Sequence, residues 1–139
     1  VNRKKDQFEK AIEDYTNEIK YSDNKNIKAL NNRAYCFAKI NLYDLAIIDY
    51  GSVLQIDSKN IHGLHNRGIS YERLGKYEDA IEDFTSVIKL DPDNANAYFN
   101  RGCCFDSIGE LDQAISDYSV ALELDMKADK KEEELMKIN

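Results

Sequence analysis

A unit of 34 residues recurs three times in succession, at residues 27–60, 61–94 and 95–128, and the second half of a further copy precedes them. One anchor repeats in register as Asn32-Arg33-Ala34, Asn66-Arg67-Gly68 and Asn100-Arg101-Gly102. A second, Ala-Ile-x-Asp-aromatic, starts at Ala11, Ala46, Ala80 and Ala114 and ends on Tyr15, Tyr50, Phe84 and Tyr118. A fixed period of this length marks a stacked array in which each unit cannot bury its apolar face alone. The functional question therefore moves from a catalytic pocket to a surface.

Within the unit the apolar spacing is helical. Leu64, Arg67, Gly68 and Tyr71 fall at i, i+3, i+4 and i+7, one face of a helix. Leu74-Gly75-Lys76 interrupts the pattern, with Gly75 suited to a helix end that needs positive φ. A second stripe follows through Tyr77, Ala80, Ile81, Phe84, Val87 and Ile88, and Asp91-Pro92-Asp93-Asn94 ends it, because proline cannot continue a helix and Asp and Asn favour turns. Each unit is thus predicted to be two antiparallel helices joined by a short loop. Ala34, Gly68 and Gly102 in the first helices, and Ala46, Ala80 and Ala114 in the second, let the pair approach closely; the aromatic four residues after each of those second-helix alanines fills the next layer.

On these residues the unit resembles the tetratricopeptide repeat. Leu64 and Tyr98 match its opening aromatic-or-Leu position, Gly68 and Tyr71 its Gly-x-x-Tyr, Ala80 and Phe84 its Ala-x-x-x-Phe, and Pro92 its terminal proline. Arginine stands where leucine is usual before the glycine, and Ser58 and Met126 replace the proline in two copies. The resemblance implies an all-α solenoid, a right-handed superhelix of antiparallel helix pairs. Its divisions would be a partial repeat at 1–26, full repeats at 27–60, 61–94 and 95–128, and a capping helix or the start of a further repeat at 129–139. The chain opens without Met and inside a unit, which reads as a piece of a longer protein.

Charge and composition narrow the partner. A net charge of −7 speaks against nucleic acid, which is bound through basic patches. No run approaches the length of a membrane span. Cys36, Cys103 and Cys104 have no metal or redox spacing and read as core or near-core thiols of a reducing compartment, which points to a cytoplasmic address. No phosphate loop, His-Glu-x-x-His or nucleophile elbow is present. His62 and His65 share a helical face but have no third ligand in view, whereas a structural zinc needs four. We therefore expect no enzyme activity, no cofactor and no metal.

In tetratricopeptide arrays the first helices line the concave face. Carried over, this implies a groove of Lys28, Asn31, Asn32, Tyr35 and Lys39 from the first full unit. His62, His65, Asn66, Ile69 and Arg73 come from the second, and Asn96, Phe99, Asn100, Cys103 and Asp106 from the third. Asn32, Asn66 and Asn100 form a ladder spaced by one repeat. A side-chain amide both donates and accepts, so such a ladder suits the backbone of an extended peptide; the competing role is bridging within the array. The carboxylate clamp by which some members bind chaperone C-termini is not reconstituted, because Asn31, Tyr35, Asn96 and Asn100 occupy its Lys, Asn, Lys and Arg positions. Arg3, Lys4, Lys28 and Lys39 crowd the N-terminal end of the groove and Asp106 lies toward the other, which favours an acidic stretch of ligand at the basic end.

Two further expectations concern ion pairs and ends. A half-buried arginine needs a partner, and the Asp of the second helix recurs in step. We expect each Arg to pair with the Asp of the preceding unit: Arg33 with Asp14, Arg67 with Asp49, Arg101 with Asp83. Around Phe8, the missing half-unit should leave an apolar stripe that a second chain masks, giving self-association through the truncated first repeat. The functional reading is a scaffold binding a peptide or protein partner. The alternatives are a structural segment of a longer superhelix or the substrate-recognition arm of a larger enzyme.

Overall fold

Seven helices and no strands make up residues 3–138, the part that the computed structural model describes. They are α1 (Arg3–Tyr21), α2 (Ile27–Lys39), α3 (Tyr43–Ile56), α4 (Ile61–Arg73), α5 (Tyr77–Leu90), α6 (Ala95–Ser107) and α7 (Leu111–Ile138). Each packs on the next in chain order, which is the all-α solenoid that the period demands. Short turns follow from two recurring local devices. Asn26, Asn60 and Asn94 cap α2, α4 and α6, their side chains accepting from Ala29, Gly63 and Ala97 amides at 3.0, 2.8 and 3.0 Å, which satisfies an orphan donor of each helix. Asn41, Gly75 and Gly109 take φ of 65°, 74° and 81° at the hairpin turns, the left-handed conformation that lets a helix end and reverse.

Within each hairpin the contact is as close as the small residues allow. A methyl group placed on Gly68 would meet the Phe84 ring at 2.8 Å, and one on Gly102 the Tyr118 ring at 2.9 Å. Tyr50 and Phe84 are fully buried with Ala34, Ala46, Ala80 and Cys104 around them. Between hairpins, Leu54, Ile61, Leu64, Val87, Ile88 and Ala97 join one unit to the next.

The recurrent arginines correct one expectation. Each pairs with the Asp of its own unit, not the preceding one. Arg33 grips Asp49 through Nε and Nη2, both at 2.7 Å; Arg67 grips Asp83 at 2.8 and 2.7 Å; Arg101 grips Asp117 at 2.8 Å twice. These bidentate pairs tie the first helix to the second inside every hairpin, and each guanidinium also lies over an aromatic ring of its own helix at 5.5–5.7 Å. Hydrogen bonding to the carboxylate holds Arg67 and Arg101 above their ordinary values. What the preceding unit supplies is a hydroxyl: Thr16 accepts from Arg33 Nη1 and Thr85 from Arg101 Nη1, both at 3.2 Å. In the middle unit the equivalent position is Gly51, so Arg67 lacks this third bond.

The ends also differ from the repeat pattern. Residues 129–138 form no separate helix but continue α7. Both signals that end α5 are missing there, since Met126 replaces Pro92 and Ala128 replaces the capping Asn94. Phe8, Ala11, Ile12 and Tyr15 are half-buried rather than open. Phe8 meets the Tyr35 ring edge-on at 6.4 Å, and Tyr15 packs against the cluster formed by Ile19, Ala29, Leu30 and Val53.

Two stability measurements test the clamp. Asp49→Asn should cost roughly 3–5 kcal/mol in urea unfolding because it leaves Arg33 with half its partner. Asp14→Asn, at an exposed carboxylate, should stay within about 0.5 kcal/mol; equal costs would contradict the observed pairing. Gly51 has no neighbour within 4 Å of an added Cβ, so Gly51→Thr should raise stability by roughly 0.5–1.5 kcal/mol through better helix propensity and a third bond to Arg67. A lowered melting temperature would refute that.

Candidate functional site

The inner face is identified by crowding. Among the described residues α2 touches α4 and α4 touches α6, whereas α3 and α5, and α5 and α7, do not meet. First helices therefore line the concave side, and their outward-turned residues form a chain of hollows along it.

At the N-terminal mouth lies a hollow of about 620 Å³ lined by Lys4, Lys5, Gln7, Phe8, Tyr35, Lys39, Ile40 and Asn41. Lys39 Nζ sits 5.2 Å from the Tyr35 ring centre, a cation over an aromatic face, while Lys5 lies 3.9 Å from Glu9. Tyr35 and Lys39 are shared with the next hollow, of about 210 Å³, where Asn66, Ile69, Ser70 and Arg73 of α4 face Ala38, Tyr43 and Tyr50. Asn66 in turn is shared with a hollow of about 330 Å³ lined by Ile61, His62, His65, Asn94 and Asn96. Asn96 and Phe99 continue into a fourth, about 530 Å³, with Ala95, Tyr118, Ala121, Leu122 and Asp125. Shared residues make the first three continuous, and no carboxylate lines any of them, in a chain of net charge −7.

The asparagine ladder is present but unequal. Asn66 Nδ2 donates to the His62 carbonyl of its own helix at 2.8 Å. Asn100 Nδ2 lies 3.3 Å from His65 Nε2 in the preceding unit, so it bridges units. Asn32 is half-buried and makes no hydrogen bond with the described residues. Lys28 is exposed and lines none of these hollows. Asn31 is buried, and its Oδ1 meets no hydrogen-bond partner among the described residues. Cys103 is half-buried, and the Tyr118 hydroxyl is held above its ordinary value, chiefly by the neighbouring Cys103 thiol. Burial pushes the Cys104 thiol up to about 12. Spacing alone did not reveal Tyr43 and Ser70 as groove residues; Tyr43 lies at the start of a second helix, just after the hairpin turn at Asn41.

Similarity to known proteins agrees with this geometry. A tetratricopeptide repeat family model matches residues 65–129. The second TPR of Spaghetti (RPAP3), solved with the HSP90 peptide SRMEEVD, is 31% identical over 76% of this chain and 99% of that one, with a TM-score of 0.69. The chain belongs to the tetratricopeptide repeat family. A crystal structure of MamA superposes with a TM-score of 0.81 at 22% identity, covering 86% of this chain and 69% of that one, and shares the fold. No curated protein sequence matches the chain. The tetratricopeptide fold, with a neighbour that holds a peptide, supports a protein-interaction role in general; tetratricopeptide modules are generally non-catalytic. Among the described residues no three metal-ligating side chains cluster, and no helix is long and apolar enough to cross a membrane.

His65 gives the groove a measurable pH response. Burial, then the charge of His62, holds its imidazole below the usual range, and its ring stands edge-on to Phe84 at 5.5 Å. The fold favours the neutral ring, whereas the unfolded chain takes up the proton near pH 6.5. Its contribution to stability is therefore complete above that value and is lost as pH falls through it toward the depressed folded value. The melting temperature should drop between about pH 7.5 and 5.5, and His65→Gln should flatten that part of the profile; an unchanged slope would assign the titration elsewhere.

Proposed function

We propose that the chain is a peptide-recognition module whose concave groove receives an extended acidic segment of a partner protein. The observation that supports this is that Lys39 and Arg73, with Lys4 and Lys5 at the mouth, are among the lining residues of hollows that no carboxylate lines, in an acidic protein. Cations collected on one concave surface attract a polyanionic segment and repel a basic one, because the low-dielectric walls focus the field. Aromatic faces at Phe8 and Tyr35, with Ile69 beyond, would take apolar side chains between the acidic ones. Asn32, Asn66, His62, Asn96 and Asn100 would address the peptide backbone, with Asn66 and Asn100 offering their amide oxygens once their donors are engaged. The mode of binding differs from a clamp on a terminal carboxylate, since the clamp's Lys and Arg positions hold asparagine (Asn31, Asn96 and Asn100) and one of its Asn positions holds Tyr35. This reading places the chain among binding scaffolds of a reducing compartment.

Fluorescence anisotropy with labelled heptapeptides that differ only in charge tests it. The acidic peptide should bind and the basic one should not. Lys39→Glu with Arg73→Glu should weaken the acidic peptide at least about tenfold, equivalent to about 1.4 kcal/mol, and affinity should fall with added salt. The Asn32/Asn66/Asn100→Ala variant should lose affinity while melting close to wild type. Equal binding of both peptides, or indifference to the charge reversals, would favour a structural segment of a longer superhelix.

A further inference from the structure

The seams between units are not equally bonded. Between the units at 61–94 and 95–128, three side-chain contacts cross. Thr85 Oγ1 accepts from Arg101 Nη1 at 3.2 Å, Asn100 Nδ2 lies 3.3 Å from His65 Nε2, and the Cys104 thiol lies 3.9 Å from Glu72 Oε2. One repeat earlier, between 27–60 and 61–94, each of these pairs has lost a member. Gly51 replaces the threonine opposite Arg67, and Ala38 replaces the glutamate opposite Ser70. Asn31, with a shorter side chain, replaces the histidine, and Asn66 donates to the His62 carbonyl of its own helix instead. Asn31 belongs to this middle seam because the following unit is what covers its position. It is 8% exposed, whereas Phe99, in the same register with no unit laid over it, is 53% exposed. Its Oδ1 is left buried without a partner among the described residues. The first seam keeps its threonine, since Thr16 accepts from Arg33 at 3.2 Å. Among the described residues, apart from the Asn60 cap at the turn itself, no side-chain hydrogen bond or ion pair crosses the middle seam. Leu54, packed with Ile61 and Leu64, holds it by apolar contact.

We propose that the middle seam is the hinge of the array, and that the groove opens and closes across it. Apolar contact is non-directional and tolerates small rotations, whereas hydrogen bonds weaken steeply as their angle closes. A seam held by the first alone bends where its bonded neighbours do not. Opening also admits water to Asn31 Oδ1 and so relieves an unpaired buried acceptor. The hollow of about 210 Å³ lies on this seam, with Lys39 of α2 on one wall and Arg73 of α4 on the other. Like charges on facing walls favour the open form. An anion received between them favours the closed form, because it binds that form better. Closure by ligand rests on the peptide reading above; the hinge itself does not.

Distances between paired spin labels test the hinge without any ligand. Asp44, Glu78 and Asp112 are exposed, and each is the second residue of its helix, α3, α5 and α7. In a Cys103→Ser background, labels on Asp44→Cys with Glu78→Cys report the middle seam, and labels on Glu78→Cys with Asp112→Cys report the next. The first pair should give the broader distance distribution. Gly51→Thr with Asn31→His supplies two of the missing bonds and should narrow it to the width of the second pair. Should that variant not fold, Gly51→Thr alone, whose added Cβ meets nothing within 4 Å, should narrow it in part. Equal widths in the wild type, or a folded variant as broad as the wild type, overturn the hinge. Adding the acidic heptapeptide should narrow the middle-seam distribution and leave the next seam unchanged. A peptide that binds without narrowing it overturns closure. A peptide that does not bind overturns the peptide reading and closure with it, while the ligand-free widths still decide the hinge.

Discussion

The bidentate arginine–aspartate clamp is the constraint on which the hairpin rests. Its carboxylates are almost fully buried and its guanidinium groups mostly so, so either partner alone would be a charge in a low-dielectric setting. Two parallel hydrogen bonds have strict geometry, and meeting it fixes the distance and rotation between first and second helix. The glycine or alanine next to each arginine then lets the aromatic ring of the second helix lie flush against the first. Where a threonine of the preceding unit accepts a further bond, the same arginine also sets the angle between neighbours. One side chain thereby couples hairpin geometry to superhelical geometry.

Groove chemistry follows from that arrangement. With positions seven and eight of each first helix committed inward, the residues at positions five, six and nine are turned toward the concave side or the seam between units. His65, Asn66, Tyr35 and Phe99 occupy such positions, and which of them reach the groove surface depends on what the next unit lays over them. His65 is half-covered because Asn100 arrives beside it, while Phe99, at the same position one unit later, stays open. An identical register therefore gives three different surfaces along one wall.

The fold was legible because periodicity, small residues and turn residues all point to the same hairpin. Other features were hidden for physical reasons. Arg33 lies between Asp14 and Asp49, and a repeating pattern is blind to which of two equally periodic carboxylates is the partner; only the handedness of the hairpin decides. The length of α7 was half visible. Loss of the proline alone does not prolong a helix, since Ser58 also lacks it and α3 still stops, but loss of the asparagine cap as well removes the reason for a new helix to begin. Asn31 shows the opposite limit: a polar residue at a groove position is buried with an unpaired amide oxygen, which no spacing rule foretells.

The asparagine cap carries a consequence for how such arrays change in size. Each internal turn is specified within four residues, Asp57 to Asn60 and Asp91 to Asn94, and the next hairpin needs nothing further upstream to start. A unit duplicated between two caps would arrive with its own punctuation and its own internal clamp, and would fit the existing register without altering its neighbours. Erasing the cap together with the proline does the reverse, as along α7, where a reversal of the chain gives way to a straight lever. Copy number in a protein of this kind is thus written in a few residues per unit, which makes gain and loss of whole units a far smaller step than any change within one.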